Sequence, residues 1–301
     1  MPTDTTNELF DAEFLDNLRA LFLKLRKRHQ LRRKGAQPTH AAGFTREFKD
    51  HRQYVAGDDY RAIDWRLYAR LRKVFIRIYE VIQEFHVHIL IDRSRSMVEP
   101  HGEKRTAALR LGVALAYLGL YSQHRVSVLS FAREVRRETP PMKGQGQIHE
   151  ILRRAAALEF DGATDLGRVL GSFRPSRDRR GLVFIISDLF GQDPAAAETA
   201  LRHAWSWPAE THVIHVINPR EAEPVLEGEI RLVDVETDET RRMWLSRRDI
   251  QDYREAFQSY LDGLEASCLR HQVDYLRWAT DQSFEDMFLH LLSRGSALAG
   301  A

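Results

Sequence analysis

The chain has 301 residues, 43% of them hydrophobic and 29% charged, a formal net charge of +2 and one cysteine. That balance is ordinary for a globular protein able to bury a full core, excludes a disordered polypeptide, and by itself points to no polyanionic partner. The single Cys268 rules out an internal disulfide, suits a reducing compartment, and reads as a small buried hydrophobe.

The first residues, MPTDTTNELFDAEFL, have neither a basic start nor an apolar core, so no secretory signal is expected. No stretch reaches the roughly 20 apolar residues of a membrane helix. The best candidate, Leu109 to Tyr121, carries Arg110 and reads as a buried core helix, so a cytoplasmic location is expected. From Ala12 to Arg28, Phe14, Leu15, Leu18, Leu21, Phe22 and Leu25 recur at helical spacing and predict an amphipathic helix. Between Asn17 and Arg46 there is no acidic residue, while Arg19, Lys24, Arg26, Lys27, Arg28, Arg32, Arg33 and Lys34 accumulate. This basic run reads as a nucleic-acid or anionic-surface contact, or as a solvated helix end. The lack of aromatics from Lys24 to Lys34 favours the latter.

A second unusual stretch runs from Glu47 to Arg77, EFKDHRQYVAGDDYRAIDWRLYARLRKVFIR. Gly57 followed by Asp58 predicts a helix start. Asp58, Arg61 and Asp64 are spaced to pair along one face, with Arg66 and Arg70 continuing the ladder and Ile63, Leu67 and Leu71 opposite. The segment reads as an ion-pair network fixing it against the main domain, or as a docking surface formed by Asp58, Asp59, Arg61, Asp64, Trp65, Arg66 and Arg70. Val74 to Tyr79 alternates like a strand, and its short link to the next strand predicts an antiparallel neighbour of that strand.

The stretch around which the chain is organised is HVHILIDRSRSM, His86 to Met97. Val87, Ile89, Leu90 and Ile91 form an apolar run suited to a strand buried on both faces, and it stops at Asp92. Ser94 and Ser96 follow on the turn into a helix spanning Lys104 to Ser122. Helix and strand then alternate. Strands are predicted at Arg125–Phe131, Gly181–Ile186, Thr211–Ile217 and Val273–Trp278, with a short antiparallel edge at Val135–Thr139 blunted by Pro140 and Pro141. Helices are predicted at Gln147–Leu158, Asp165–Phe173, Pro194–Trp205, Arg248–Arg270 and Phe284–Leu292, and a β-hairpin at about 226–245 with its turn near Asp238 and Glu239. The expected fold is α/β, a Rossmann-like, doubly wound, mostly parallel sheet with one antiparallel edge strand. Residues 1–85 form an N-terminal helical and extended segment packed on it, and residues 86–294 the main domain.

In such sheets ligands bind beyond the carboxyl ends of the strands. Asp92, Ser94 and Ser96, Thr164 in the loop FDGAT, and Asp188 after the next apolar strand all fall there or beside it. Their side chains offer oxygen alone, which suits a hard divalent cation such as Mg2+ or Mn2+. Three hydroxyls and two carboxylates leave such an ion incompletely neutralised and in want of an external anion. Asp161 and Asp165 flank Thr164, and Asp165 is expected to cap the following helix. His86 and His88 read as hydrogen-bonded core or edge histidines, and Gly144-Gln145-Gly146 as a turn.

Asp92-x-Ser94-x-Ser96, with the later Gly-Ala-Thr164-Asp and Ile-Ser-Asp188, resembles the metal-ion-dependent adhesion site of von Willebrand factor A domains. The resemblance covers roughly Phe85 to Leu292. It implies that Ser94, Ser96 and Thr164 bind the metal, that the aspartates support it largely through water, and that a partner's Asp or Glu completes the shell. The upstream Glu47-Phe48 and RQYVAGDDYRAIDWRLYAR, Arg52 to Arg70, resemble the signature of the bacterial family called domain of unknown function 58. That resemblance implies a non-catalytic adaptor or chaperone-like partner of a MoxR-type AAA+ ATPase, or of its client. A haloacid dehalogenase-like phosphate-ester hydrolase also begins with an Asp at the end of a first strand, but it needs a second acid two residues later, where Ser94 stands. Gly-x-Ser-x-Gly, phosphate-loop and His-Glu-x-x-His motifs are absent.

Overall fold

The computed structural model describes residues 9–11, 13–21, 45–82, 84–98, 102–175, 181–190, 194–224, 228–234 and 239–294. The basic run from Lys24 to Lys34 and the hairpin turn at Asp238 lie outside them. In chain order, α1 covers residues 13–21, β1 Thr45–Gln53, α2 Trp65–Leu71, β2 Phe75–Ile82, β3 His86–Asp92, α3 Glu103–Tyr121, β4 Arg125–Phe131 and β5 Val135–Arg137. There follow α4 Ile148–Ala156, α5 Leu166–Ser172, β6 Gly181–Ser187, α6 Pro194–Trp205, β7 Ala209–Ile217 and α7 Pro219–Ala222. The last elements are β8 Gly228–Val233, β9 Thr240–Leu245, α8 Arg247–Arg270, β10 Asp274–Ala279 and α9 Phe284–Arg294. The chain divides into two compact units, one of Met1–His29 with Phe85–Ala301, the other of Gln30–Glu84.

In the larger unit six strands form one sheet in the order β10-β7-β6-β3-β4-β5. All neighbours are parallel except β4 and β5, which pair antiparallel. The expected doubly wound sheet with its antiparallel edge is therefore what the chain adopts. Strand side chains alternate between faces. Val87, Ile89 and Ile91 of β3 join Val126, Phe184 and Ile214 in a core closed by α1, α3, α4 and α9. Leu90 joins Leu129, Val183, Ile185 and Val213 in a second core closed by α5, α6 and α8. Because both faces are covered, the central strands carry apolar residues on both faces rather than in strict alternation with polar ones, which is why they read as near-continuous runs.

α3 is buried along most of its length, and two glycines set how close it lies to the sheet. A Cβ on Gly112 would stand 2.7 Å from the flexible tip of Ile91, and one on Gly119 2.6 Å from Cγ2 of the stiff, β-branched Val126. On the helix's other side Arg110 donates from Nε to the Leu9 carbonyl at 3.0 Å, and the Phe14 ring meets Phe284 edge-on with centroids 5.5 Å apart. The β8–β9 hairpin pairs Gly228 with Leu245 through Val233 with Thr240, as expected, and its Trp244 is 72% exposed.

The smaller unit corrects two expectations. β2 does not flank β3; it pairs antiparallel with β1 as a two-stranded ribbon, Thr45 opposite Ile82 and Gln53 opposite Phe75, with a bulge between Phe48 and Asp50. The helix starts at Trp65 rather than at Asp58. Asp58 instead accepts from the Val55 amide and from Arg52 of β1 at 2.7 Å, around the turn at Gly57, whose φ is +107°. Asp59 caps a 3-10 turn over Tyr60–Ala62, and Asp64 caps α2 through the Arg66 and Leu67 amides while accepting from His51 at 2.9 Å. The acids thus serve local caps and β1 rather than a ladder along one helix.

Replacing Gly119 with Val is expected to destabilise the protein by about 1–3 kcal/mol, because α3 must move off a sheet that has no slack. The urea midpoint of unfolding measures it; an unchanged midpoint contradicts the close approach.

Candidate functional site

The site lies at the carboxyl end of β3, where the apolar run yields to Asp92, 1% exposed. A buried carboxylate must be fully hydrogen-bonded to remain there. Its Oδ1 accepts from the Ser94 amide at 2.9 Å and from Thr164 Oγ1 at 2.9 Å, and its Oδ2 accepts from Ser187 Oγ at 2.6 Å. The Ser94 hydroxyl oxygen lies 3.0 Å from that of Ser96. Backbone bonds hold the two loops together: Asp161 N donates to Arg93 O at 2.8 Å, Arg95 N to Gly162 O at 3.0 Å, and Asp165 N to Ala132 O at 3.1 Å. Met97, wholly buried, anchors the turn below the serines. Asp165 caps α5 through the Arg168 amide, as expected.

Four of the five expected oxygen-bearing residues therefore meet around one carboxylate. Separations of 2.9–3.0 Å suit hydrogen-bonded hydroxyls. They are also the spacing of adjacent ligands about an octahedral magnesium with bonds of about 2.0–2.1 Å. Burial pushes the Asp92 carboxyl up to about 6, with the negative charge of Asp188 adding to the rise and the Ser187 and Ser94 hydrogen bonds opposing it.

Asp188, the fifth, stands close enough to act on Asp92 by charge, but its hydrogen bonds go to Phe190 and Lys104. Its Oδ1 accepts from the Phe190 amide at 3.2 Å and its Oδ2 from Lys104 Nζ at 2.7 Å. Lys104, in the first turn of α3 and 3% exposed, also donates to Glu221 Oε1 at 2.5 Å. Burial works against the Lys104 charge, but the two carboxylates outweigh it and raise its pKa. Glu221 is fixed in turn, its Oε2 accepting from the Asn218 amide at 3.1 Å, while Asn218 Nδ2 donates to Glu103 Oε2 at 2.7 Å. Leu189 completes the loop in a left-handed conformation, φ 53°, its amide donating to Ser187 Oγ and its carbonyl accepting from the Tyr260 hydroxyl. Ser187, Lys104 and Glu221 were not among the expected site residues. The polar end of the apolar run Gly181–Ile186 was the only local hint of any of them.

A separate cluster lies at the opposite, amino end of the sheet. His212 of β7, buried, has Nδ1 3.1 Å from Asp274 of β10 and Nε2 3.4 Å from Glu210. The three offer ligand atoms within 4.8 Å of one another. Burial opposes a charge on His212, but Asp274 and Glu210 outweigh it and raise its pKa, as befits an imidazolium between two acids. His86 and His88 stack with centroids 3.9 Å apart, and burial pushes His88 down to about 3, so it is neutral.

The family described as Protein of unknown function DUF58 matches residues 50–262. The uncharacterized proteins Rv1480 of Mycobacterium tuberculosis and Mb1516 of Mycobacterium bovis are each 28% identical over 197 residues, covering 62% of this chain and 60% of theirs. The match thus spans only about three fifths of the length of those relatives. Among solved structures, the chain is similar to BatB from Bacteroides thetaiotaomicron, at 15% identity and a TM-score of 0.39, covering 72% of this chain and 100% of that one. It is also similar to a von Willebrand factor type A protein from Catenulispora acidiphila, at 14% identity and a TM-score of 0.32, covering 66% of this chain and 44% of that one. A third is proximal thread matrix protein 1 of the mussel byssus, with a zinc-occupied MIDAS motif, at 14% identity and a TM-score of 0.37, covering 72% of this chain and 48% of that one.

Two outcomes follow from this geometry. Ser187→Ala leaves Asp92 Oδ2 without its shortest donor and is expected to cost about 1–3 kcal/mol in denaturant unfolding; no loss contradicts that bond. His212, its pKa raised in the folded state, contributes stability fully present below about pH 6.5 and lost as pH rises through the folded value. Asp274→Asn should flatten that part of the stability profile, and an unaltered profile would show that Asp274 does not hold the charge.

Proposed function

We propose that this chain, which belongs to the family described as Protein of unknown function DUF58, is a non-catalytic protein-binding module. It holds a Mg2+ or Mn2+ ion on Asp92, Ser94, Ser96, Thr164 and Asp188, and through it captures an Asp or Glu of a partner. The observation that carries this reading is the meeting of Thr164, 72 positions away in the chain, and the Ser94 turn on the buried Asp92 carboxylate, with the Ser96 hydroxyl beside that of Ser94. The donor set is oxygen alone and suits a hard cation. When bound, the ion supplies a positive charge that neutral hydroxyls leave partly uncompensated. The chain's own work is to hold those oxygens fixed: Ser187 and the Ser94 amide orient Asp92, and the backbone bonds between the two loops set the reach of Thr164.

The partner is a MoxR-type AAA+ ATPase or its client, the association implied by the family resemblance, and the location is cytoplasmic. Among the described residues no helix is long and apolar enough to cross a membrane. A second docking surface is formed in the smaller unit by Asp58, Asp59, Arg61, Asp64, Trp65, Arg66 and Arg70, where Trp65 is 64% exposed and Tyr60 65%. The phosphate-ester hydrolase reading has less support, because both Asp92 oxygens are engaged by hydroxyl donors and Ser94 stands where that chemistry needs an acid.

The test is capture of partner proteins by the full chain with magnesium and with excess chelator, beside Asp92→Ala. Capture should vanish with chelator and in the variant, whose melting remains cooperative. Capture that persists in chelator overturns the mechanism.

A further inference from the structure

The Lys104 ammonium is unusual for a centre read as a cation site, because it is itself a cation already seated there. We propose that Lys104 is a resident competitor for the divalent ion, holding Asp188 so that the centre takes up its ion weakly and exchangeably, with Glu221 as the acid that moderates the competition. The inference rests on the reading of the five oxygens as an ion site and concerns how that site is regulated.

Geometry leaves Lys104 no other place. Its first-turn position on α3 aims Nζ at Asp188 Oδ2, 2.7 Å away, and at Glu221 Oε1, with the Phe190 ring 5.4 Å off on another side. A buried ammonium is retained only where it is paired, and both pairs are anchored. Asp188 is fixed by the Phe190 amide, and Glu221 by the Asn218 amide, with Asn218 tied back to Glu103 beside Lys104 itself. The first turn of α3, the loop after β6 and the loop after β7 are thus joined through one ammonium. Two carboxylates, those of Asp188 and Glu221, bond this one ammonium, and the Asp92 carboxylate lies within charge range of Asp188, so the formal charge of the four groups together is −2. An arriving divalent ion meets a positive charge already bonded to one of its two acids. Removing the ammonium leaves −3 and favours the ion; removing the Glu221 charge leaves −1 and disfavours it. Unit charges a few ångströms apart in a shielded interior shift binding by tenfold or more. The charge that repels the ion also attracts an incoming carboxylate, so the centre favours taking ion and acid together over ion alone.

Mn2+ alone is titrated into the full chain, with free ion followed by electron paramagnetic resonance and thermal melts recorded in parallel. K104M is expected to bind Mn2+ at least tenfold tighter than the unaltered chain, E221Q several-fold weaker, and K104R, which keeps the charge, near the unaltered chain. A merely structural lysine would give the opposite sign, since its loss would loosen the site. Equal or weaker binding by folded K104M, or tightening in K104R as in K104M, overturns the role of Lys104 and leaves the ion site standing. No binding in the unaltered chain, K104M and E221Q alike removes the ion site and this inference with it. Should K104M fail to melt cooperatively, E221Q decides, and unchanged or tighter binding there overturns the proposal.

Discussion

A carboxylate 1% exposed at the end of an apolar strand is the constraint on which this structure turns. Asp92 cannot be solvated where it stands, so the chain must bring it donors, and it does so from three directions: its own turn, the loop carrying Thr164, and the end of the neighbouring strand β6. Those donors tie the turn after β3 to the Thr164 loop and to the end of β6. The burial that raises the carboxyl pKa also makes it an eager partner for any positive charge that reaches it.

Much of this was legible from residue order. An uninterrupted apolar run with a sudden acid has few structural meanings, and the alternation of runs from Arg125 onward places the elements within a few residues of where they lie. The five oxygen-bearing residues could be named because each sits directly after or beside such a run. The smaller unit was less readable. β1, TREFKDHRQ, is mostly polar and charged, and its partner β2 follows beyond a helix, so neither apolar pattern nor spacing announces a ribbon. Asp58 and Asp64 lie at spacings that serve an i,i+3 helix pair and a cap equally well, and backbone capping won.

What residue order hides is pairing at long range. Lys104 in a first helical turn looks like any solvated base, and only the fold reveals that its partners lie 84 and 117 positions away. Ser187 is similarly mute, being one hydroxyl at a strand end until a carboxylate 95 positions upstream requires it. Glu210 and His212 share a face of β7, and Asp274 joins them only through the parallel register of β7 and β10. In each case the side chain is unremarkable and its meaning is supplied by strand order.

Backbone bonds between the β3 turn and the Gly162 loop, and the Lys104 bridge to the loop after β7, also bear on how the chain folds. Contacts so distant along the chain are entropically costly to close. The centre consequently needs β3, the Thr164 loop, β6 and the loop after β7 all in place, and a polypeptide that ends before Glu221 lacks the carboxylate that closes the Lys104 bridge.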